Sequence, residues 1–247
     1  MKSRLLAEES RTLDGYDGIC AVCGHFGRFE NTQRSVRESF QCAACKASQR
    51  YRHQAEMIVA HCSRRGSSCL QELVQEPEFS SIAIYEPGNI GPFRRFFSGL
   101  RNYMTSVFCQ DAKDGCDTVR CENLENLTFA DESFDLMISS DIMEHVRHPD
   151  RAWQEAARVL RKGGLYIFTV PFSWPLADVT VARVDVRGPT DMHILEPRYH
   201  RDPLNPEGAL VYTDFGLDIV GTLQSYGFEV LLPRSLLYTI TVVSRRR

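Results

Sequence analysis

Residues 128–146 read TFADESFDLMISSDIMEHV and, together with LRKGG at residues 160–164, decide the fold of this chain. After an acidic turn comes a short apolar run over residues 134–139, which is typical of a buried strand. Pro149 begins a helix with a regular apolar stripe, the two glycines end it, and residues 165–170 form the next strand. A strand, a helix and a second strand in this order predict a parallel sheet with helices on both faces.

The same alternation extends toward both ends of the chain. Further strands are predicted at residues 81–85, 103–108, 118–121, 228–232 and 237–244, and further helices at residues 50–62, 91–100 and 213–226. Thr213 and Asp214 are predicted to cap the last helix. Residues 171–212 hold six of the eleven prolines, which predicts an irregular lid or substrate loop. The two closing strands predict an antiparallel hairpin on an otherwise parallel sheet.

Composition narrows the class of protein. The chain has 247 residues, of which 43% are hydrophobic, which is enough for a real core and excludes disordered and fibrous architectures. The net charge of −3 argues against a dedicated nucleic-acid binder, although residues 1–53 are basic, with nine Lys/Arg against six Asp/Glu. No apolar run is long enough to span a membrane, and no signal peptide is visible. We therefore expect a cytoplasmic protein without a membrane partner.

Cysteine is the unusual residue type, with nine in the chain. Cys20 and Cys23 form one pair, Cys42 and Cys45 form a second, and 18 residues separate the pairs. This spacing predicts a zinc ribbon in which each pair gives two sulfurs to one tetrahedral Zn²⁺, and it favours zinc over disulfides or free thiols. The remaining cysteines show no paired spacing and are interpreted as small apolar residues; they are Cys62, Cys69, Cys109, Cys116 and Cys121.

The ribbon is followed by a group of basic and aromatic side chains. These side chains are Lys46, Arg50, Tyr51, Arg52 and His53. They could bind phosphate, but a solvated helix face is the favoured interpretation.

The turn after the first predicted sheet strand reads EPGNIGP over residues 86–92. Glycines after a strand let a ligand approach the backbone at the carboxyl edge of such a sheet. Glu86 would repel a pyrophosphate, but it suits the cationic and hydroxyl groups of an aminoacyl nucleoside. A plain structural turn is the alternative.

Residues 128–146 and 160–164, with the helix between them, strongly resemble the class I S-adenosylmethionine-dependent methyltransferases, in particular the small-molecule, type 11 and ubiquinone-pathway-like enzymes. The resemblance covers residues 80–245. It implies a Rossmann-like α/β fold with a seven-stranded methyltransferase sheet and an antiparallel C-terminal hairpin, preceded here by the small zinc-ribbon module. It also implies S-adenosyl-L-methionine as the cofactor.

The resemblance assigns site residues one by one. Cofactor-binding positions are Glu86, Pro87, Gly88 and Gly91 in the first motif, Glu122, Asn123 and Leu124 beside the adenine, and Ser140 and Asp141 nearest the methyl group. The family also uses an acid after the second strand to hold the ribose. This chain has none at that position unless Asp111 reaches back.

Asp141, Glu144 and His145 resemble the metal-binding loop of the ubiquinone-pathway O-methyltransferases, where a divalent ion holds the acceptor. The favoured alternative is that Glu144 and His145 cap the following turn. His145 and Asp141 are candidates near the acceptor. In the 171–212 insertion, His193 and His200 are candidate catalytic bases, and Asp202 could fix a tautomer.

These observations divide the chain into a tail (1–14), a zinc ribbon (15–49) and a methyltransferase domain (50–247) with its insertion at 171–212. The function expected is methyl transfer to a hydroxyl of a small molecule or glycan. One alternative is a zinc-ribbon RNA base methyltransferase, with nucleic acid as a less favoured partner. Another is a non-catalytic methyltransferase-fold binding protein.

Overall fold

The computed structural model describes residues 13–88, 90–109, 120–201, 205–237 and 239–247. Asp111, Cys116 and Asp202 lie outside these residues, as does most of the predicted tail. Within the part of the chain described, none of the helices has the length and apolar character needed to cross a membrane.

A seven-stranded mixed sheet forms the centre of the molecule. Its strands are β3 (Ile84–Pro87), β4 (Tyr103–Phe108), β5 (Cys121–Glu122), β6 (Phe134–Ser140), β7 (Leu160–Thr169), β14 (Phe228–Leu231) and β15 (Val242–Arg246). The order across the sheet is β14-β15-β7-β6-β3-β4-β5. β15 lies between β14 and β7 and is antiparallel to both, whereas the other neighbouring strands are parallel. The predicted fold class is confirmed.

The helices are shorter than the apolar pattern predicts, except for the first. They are α1 (Gln49–Cys62), α2 (Leu70–Leu73), α3 (Pro77–Ser80), α4 (Arg94–Phe97), α5 (Pro149–Val159) and α6 (Ile219–Ser225), with 3-10 turns at Val36–Glu38 and Met143–His145. Pro149 takes the first position of α5, where its missing N–H costs nothing.

Alternate residues of the central strands supply two cores, one on each face of the sheet. Leu136 and Ile138 face a core that also contains α1 and the ribbon. Met137 and Tyr166 face a second core with α5 and α6. Because α1 and the ribbon share one apolar cluster with the sheet, the ribbon is packed against the methyltransferase fold and is not a separate appendage.

The end of α5 differs from the prediction. The helix ends at Val159, and Leu160 already pairs with Phe134 of β6. The register then shifts, so that Gly163 and Gly164 lie in β7 and do not end the helix. Gly164 is required there, because a Cβ would lie 2.8 Å from the carbonyl oxygen of Arg161.

The cap predicted for the last helix is also wrong. Thr213 and Asp214 form β13 (Thr213–Asp214), which pairs with β8 (Val181–Ala182) inside the insertion. Asp214 is held by an ion pair with Arg183, whose Nη1 lies 2.7 Å from Oδ2. The helical pattern begins only at Ile219, the first buried residue of α6.

The insertion itself is built from two-residue strands. Besides β8 and β13 it contains β9 (Val184–Asp185), β10 (Met192–His193), β11 (Tyr199–His200) and β12 (Ala209–Leu210). The ribbon hairpin consists of β1 (Gly15–Ile19) and β2 (Phe26–Glu30). Cys109 and Cys121 are joined by a disulfide between the ends of β4 and β5, so their interpretation as ordinary apolar residues is wrong.

Candidate functional site

The turn after β3 has the backbone that a close ligand needs. Gly88 has φ +90° and Gly91 has φ +155°, both in the region that favours glycine. A Cβ on Gly88 would meet only Ile142 Cδ1, at 3.7 Å. The turn is anchored from β4, because the Thr105 hydroxyl donates to the Gly88 carbonyl oxygen and the Gly88 N–H donates to the Ser106 carbonyl oxygen, at 2.8 Å.

Glu86, at the end of β3, is buried beside this turn. The hydroxyl of Tyr103 donates to its Oε2 at 2.7 Å. Burial raises the pKa of Glu86 to about 7, although the bond from Tyr103 and the charge of Arg94 oppose the shift. Pro87 is buried in the same strand. The site thus contains a carboxyl group that titrates near neutral pH.

Asp141, directly after β6, is held by the ribbon. Arg37 donates to both carboxylate oxygens, with Nη1 2.6 Å from Oδ2 and Nη2 2.8 Å from Oδ1. Arg50 Nε lies 3.3 Å from Oδ2, and the Thr169 hydroxyl donates to Oδ1 at 2.9 Å. Burial alone would raise the pKa of Asp141, but the two arginines outweigh it and hold the pKa below its usual range. Asp141 is therefore an ionised structural link between ribbon and sheet.

The polar face of α1 is buried, so the interpretation as a solvated helix face is wrong for Arg50, Arg52 and His53. The buried Gln54 on the same helix binds the carboxyl edge of the sheet. Its Nε2 donates to the carbonyl oxygens of Ser139 and Ile167, at 2.9 and 3.1 Å, and its Oε1 accepts from the Ser140 hydroxyl at 2.6 Å. The ends of β6 and β7 are thus tied to α1.

The predicted adenine contacts lie after β5. The carboxylate of Glu122 accepts from Arg120 Nε at 2.6 Å and from the hydroxyl and N–H of Thr128, at 2.6 and 2.9 Å. Asn123 Oδ1 accepts from the Glu125 N–H at 2.9 Å, and Leu124 is buried. Glu122 thus shapes this loop through Arg120 and Thr128.

Glu144, His145 and His200 form one cluster. His145 Nε2 lies 3.2 Å from His200 Nδ1, and Glu144 Oε1 lies 3.7 Å from the former and 3.5 Å from the latter. The pairing of β11 with β12 carries His200 to this place, because Leu210, next to the partner of His200, accepts from His145 Nδ1 at 2.8 Å. The prediction that Glu144 and His145 cap the following turn is wrong, because neither carboxylate oxygen of Glu144 has a hydrogen-bond partner among the described residues and His145 Nδ1 bonds the Leu210 carbonyl oxygen.

The other predicted members of the site are not in this cluster. His193 is exposed on β10, where it pairs with Val184. Asp141 is held by Arg37 and Arg50, as described above. A metal loop of Asp141, Glu144 and His145 therefore does not form, and His200 takes the third place.

The four ribbon cysteines converge as their spacing predicts. The sulfurs of Cys20 and Cys45 lie 3.7 Å apart, and those of Cys23 and Cys42 lie 3.6 Å apart. Four sulfurs about 2.3 Å from one tetrahedral ion lie about 3.8 Å from each other, which agrees with these distances.

Sequence reasoning did not identify Arg37, Gln54 and Tyr103 as site residues. Arg37 and Asp141 are 104 positions apart, and Gln54 and Ser139 are 85 apart. A sequence signal did exist: five of the first six residues of the 14-residue α1 are polar, which indicates a face with a specific role.

Residues 102–168 match the family model described as a methyltransferase domain. A search of the curated proteins finds no match. Similar solved structures include an S-adenosylmethionine-dependent methyltransferase from Mesorhizobium loti, which is 18% identical, covers 67% of this chain and 91% of that chain, and has a TM-score of 0.44. They also include the sugar N-methyltransferase KedS8 from Streptoalloteichus, which is 14% identical, covers 72% of this chain and 85% of that chain, and has a TM-score of 0.45.

The family match includes β4, β5, β6 and most of β7, the strands that carry the adenine loop and the Asp141 turn. The sheet adds the antiparallel closing pair expected of the same fold. Residues 102–168 therefore match a methyltransferase domain, and they supply strands of the seven-stranded mixed sheet.

Proposed function

We propose that the protein transfers the methyl group of S-adenosyl-L-methionine to a hydroxyl oxygen of a small molecule or glycan. The observation that carries the proposal is the position of the Glu144–His145–His200 cluster. Ile142 contacts the space above Gly88, and Glu144 and His145 follow it in the next turn. Groups that can take up a proton thus follow, by two and three positions in the chain, a residue that contacts the glycine turn where the cofactor is expected.

The residues at the turn fit the cofactor. Gly88 leaves open a space that any side chain would fill, and a Cβ on Gly91 would reach the Tyr51 hydroxyl at 3.7 Å. Arg50 Nη1 is buried and has no hydrogen-bond partner among the described residues. Arg50 stacks over the Tyr51 ring, with its Cζ 4.1 Å from the ring centroid, and a buried guanidinium N–H suits the carboxylate of the methionine part.

When bound, the cofactor supplies the activated methyl group. The protein then has to orient an acceptor oxygen, exclude water and take up a proton. His145 Nδ1 lies 2.8 Å from the Leu210 carbonyl oxygen, which can only accept, so Nδ1 carries the proton and Nε2 carries the lone pair. His145 Nε2 or His200 can take the hydroxyl proton, and the buried Glu144 carboxylate stabilises the cation that results.

The ribbon is proposed to bind one structural Zn²⁺ through Cys20, Cys23, Cys42 and Cys45. Two observations support this, the sulfur distances and the small size of a module that metal binding would help to fold. The ion would fix the ribbon from which Arg37 reaches Asp141.

The experiment measures release of S-adenosylhomocysteine from wild-type protein with a panel of acceptors. The panel contains catechols, hydroxylated aglycones, sugars and a short structured RNA. We expect release with one hydroxyl acceptor and none with the Gly88→Val variant. Release with the RNA alone would replace this acceptor class with a nucleic-acid one.

One observation favours a second candidate, a non-catalytic binding protein. Asp141 and Ser140, the residues expected nearest the methyl group, are both occupied by side chains of the N-terminal region, Arg37 and Gln54. In that case S-adenosylhomocysteine binds with measurable affinity, but no acceptor in the panel leads to its release.

A further inference from the structure

We propose that Glu144, His145 and His200 bind one divalent ion, Zn²⁺ by preference, in a four-coordinate site with one open position. The site is separate from the cysteine ribbon. Its three ligand atoms are Glu144 Oε1, His145 Nε2 and His200 Nδ1.

The three atoms have the separation that one ion requires. Their mutual distances are 3.2, 3.5 and 3.7 Å. The three atoms form a triangle. The point in its plane that is equidistant from them lies about 2.0 Å from each atom, which is the length of a Zn–N or Zn–O bond. An ion placed about 2.1 Å from each atom sits slightly out of their plane and takes the place of the hydrogen bond between His145 Nε2 and His200 Nδ1.

The angles at such an ion distinguish between metals. They are about 99°, 113° and 124°, with a mean close to the tetrahedral value. An octahedral two-histidine, one-carboxylate iron site requires angles near 90°, which would bring the ligand atoms to about 3.0 Å from each other. The wider spacing of this cluster favours a four-coordinate ion such as Zn²⁺.

The charge of Glu144 points to the same conclusion. The side chain is fully buried, and neither carboxylate oxygen has a hydrogen-bond partner among the described residues. A buried carboxylate without a partner is costly, and such groups are normally paired or bound to a metal. A divalent ion at the cluster supplies the missing partner.

The hydrogen bond on the far side of His145 prepares the ring for a metal. Nδ1 lies 2.8 Å from the Leu210 carbonyl oxygen, which fixes the proton on Nδ1 and leaves the lone pair of Nε2 toward the cluster. Bonds of this kind orient metal-binding histidines and raise their basicity. His145 therefore has the tautomer and the orientation of a ligand.

Solvent reaches the cluster at His200. The side chain of His200 is 33% exposed and lines a cavity of about 450 Å³ between β11 and the turn before β12. The fourth position is expected on that side. The role of the ion toward the acceptor rests on the proposed function, since the ion would occupy the lone pairs of both histidines and, in place of their proton transfer, bind the acceptor hydroxyl and lower its pKa; the binding of the ion does not rest on that function.

The test starts from protein dialysed against a chelator until one equivalent of zinc remains, in the ribbon. This protein is titrated with Co²⁺ and followed by visible absorption and by metal analysis. We expect one equivalent of Co²⁺ in addition to one of zinc. The d–d bands should have the intensity typical of tetrahedral Co²⁺. The spectrum should contain no thiolate charge-transfer bands, because no cysteine is a ligand. Loss of a ligand in Glu144→Gln or His200→Ala should weaken Co²⁺ binding at least about 100-fold.

His61→Ala is the matched control and should bind Co²⁺ like wild type. His200 is partly exposed, so His200→Ala is expected to fold even if Glu144→Gln does not, and its zinc content reports on an intact ribbon. The proposal is overturned if wild type with zinc in its ribbon binds no Co²⁺. It is also overturned if His200→Ala binds Co²⁺ with the affinity of wild type. Calorimetry with S-adenosylhomocysteine on the same samples separates this failure from failure of the proposed function.

Discussion

Replacing Glu86 with glutamine is expected to stabilise the protein at alkaline pH and to leave it almost unchanged at acid pH. Burial raises the pKa of Glu86 from 4.5 to about 7, so the folded state binds this proton more tightly than the unfolded state does. As the pH rises through this interval, the folded state must ionise a buried group, and stability falls. The full difference in pKa lowers the free energy of unfolding by about 3 kcal/mol, and about 2.5 kcal/mol of this loss develops between about pH 5 and about pH 8.

Glutamine has nearly the shape of the protonated acid and keeps an oxygen that accepts from the Tyr103 hydroxyl. The free energy of unfolding is measured by urea denaturation at about pH 5 and at about pH 8. The samples are cofactor-free wild type, Glu86→Gln and the exposed control Glu229→Gln. The gain from Glu86→Gln should grow by about 2.5 kcal/mol from about pH 5 to about pH 8, while the control stays constant. A gain independent of pH would mean that Glu86 ionises normally and that the turn is wetter than its burial indicates.

Three further outcomes are expected. Asp141→Asn should lower the free energy of unfolding by about 3 kcal/mol in urea denaturation, because Arg37 loses its bidentate carboxylate and the buried Arg50 keeps only Glu38 among the described carboxylates; a loss below about 1 kcal/mol would contradict this. Cys20→Ser should lower the zinc content of the purified protein by the one equivalent held in the ribbon and lower its Tm, because the ribbon shares a core with the sheet; unchanged zinc content by elemental analysis would refute the ribbon assignment. His200→Ala should slow single-turnover methyl transfer by about 10² or more, whereas His61→Ala should not, and equal rates would exclude His200 from the reaction.

The sheet could be predicted from the sequence because its signals are local. The strands 103–108 and 134–140 are short apolar runs flanked by turn residues, and their bounds agree with the prediction to within a residue. The closing antiparallel pair followed from two apolar runs around a proline. Each of these signals depends on residues that are neighbours in the chain.

The site was predicted only in part because its contacts are distant in sequence. His200 lies on a two-residue strand without periodic pattern, 55 positions from His145. The polar face of α1 looks solvated by composition, yet tertiary packing buries Arg50 and Gln54 against the sheet edge. Composition gives the polarity of such a face, but not which surface covers it.

Calorimetric titration with S-adenosylhomocysteine is the most direct test of the central claim, that the turn at Gly88 binds the cofactor. Wild-type protein should bind one equivalent, and Gly88→Val should bind none, because the branched side chain fills the open space above the turn where the backbone has φ +90°. Circular dichroism must show that the variant keeps its sheet. No heat of binding with wild type, or unchanged binding in a folded Gly88→Val variant, would contradict the account.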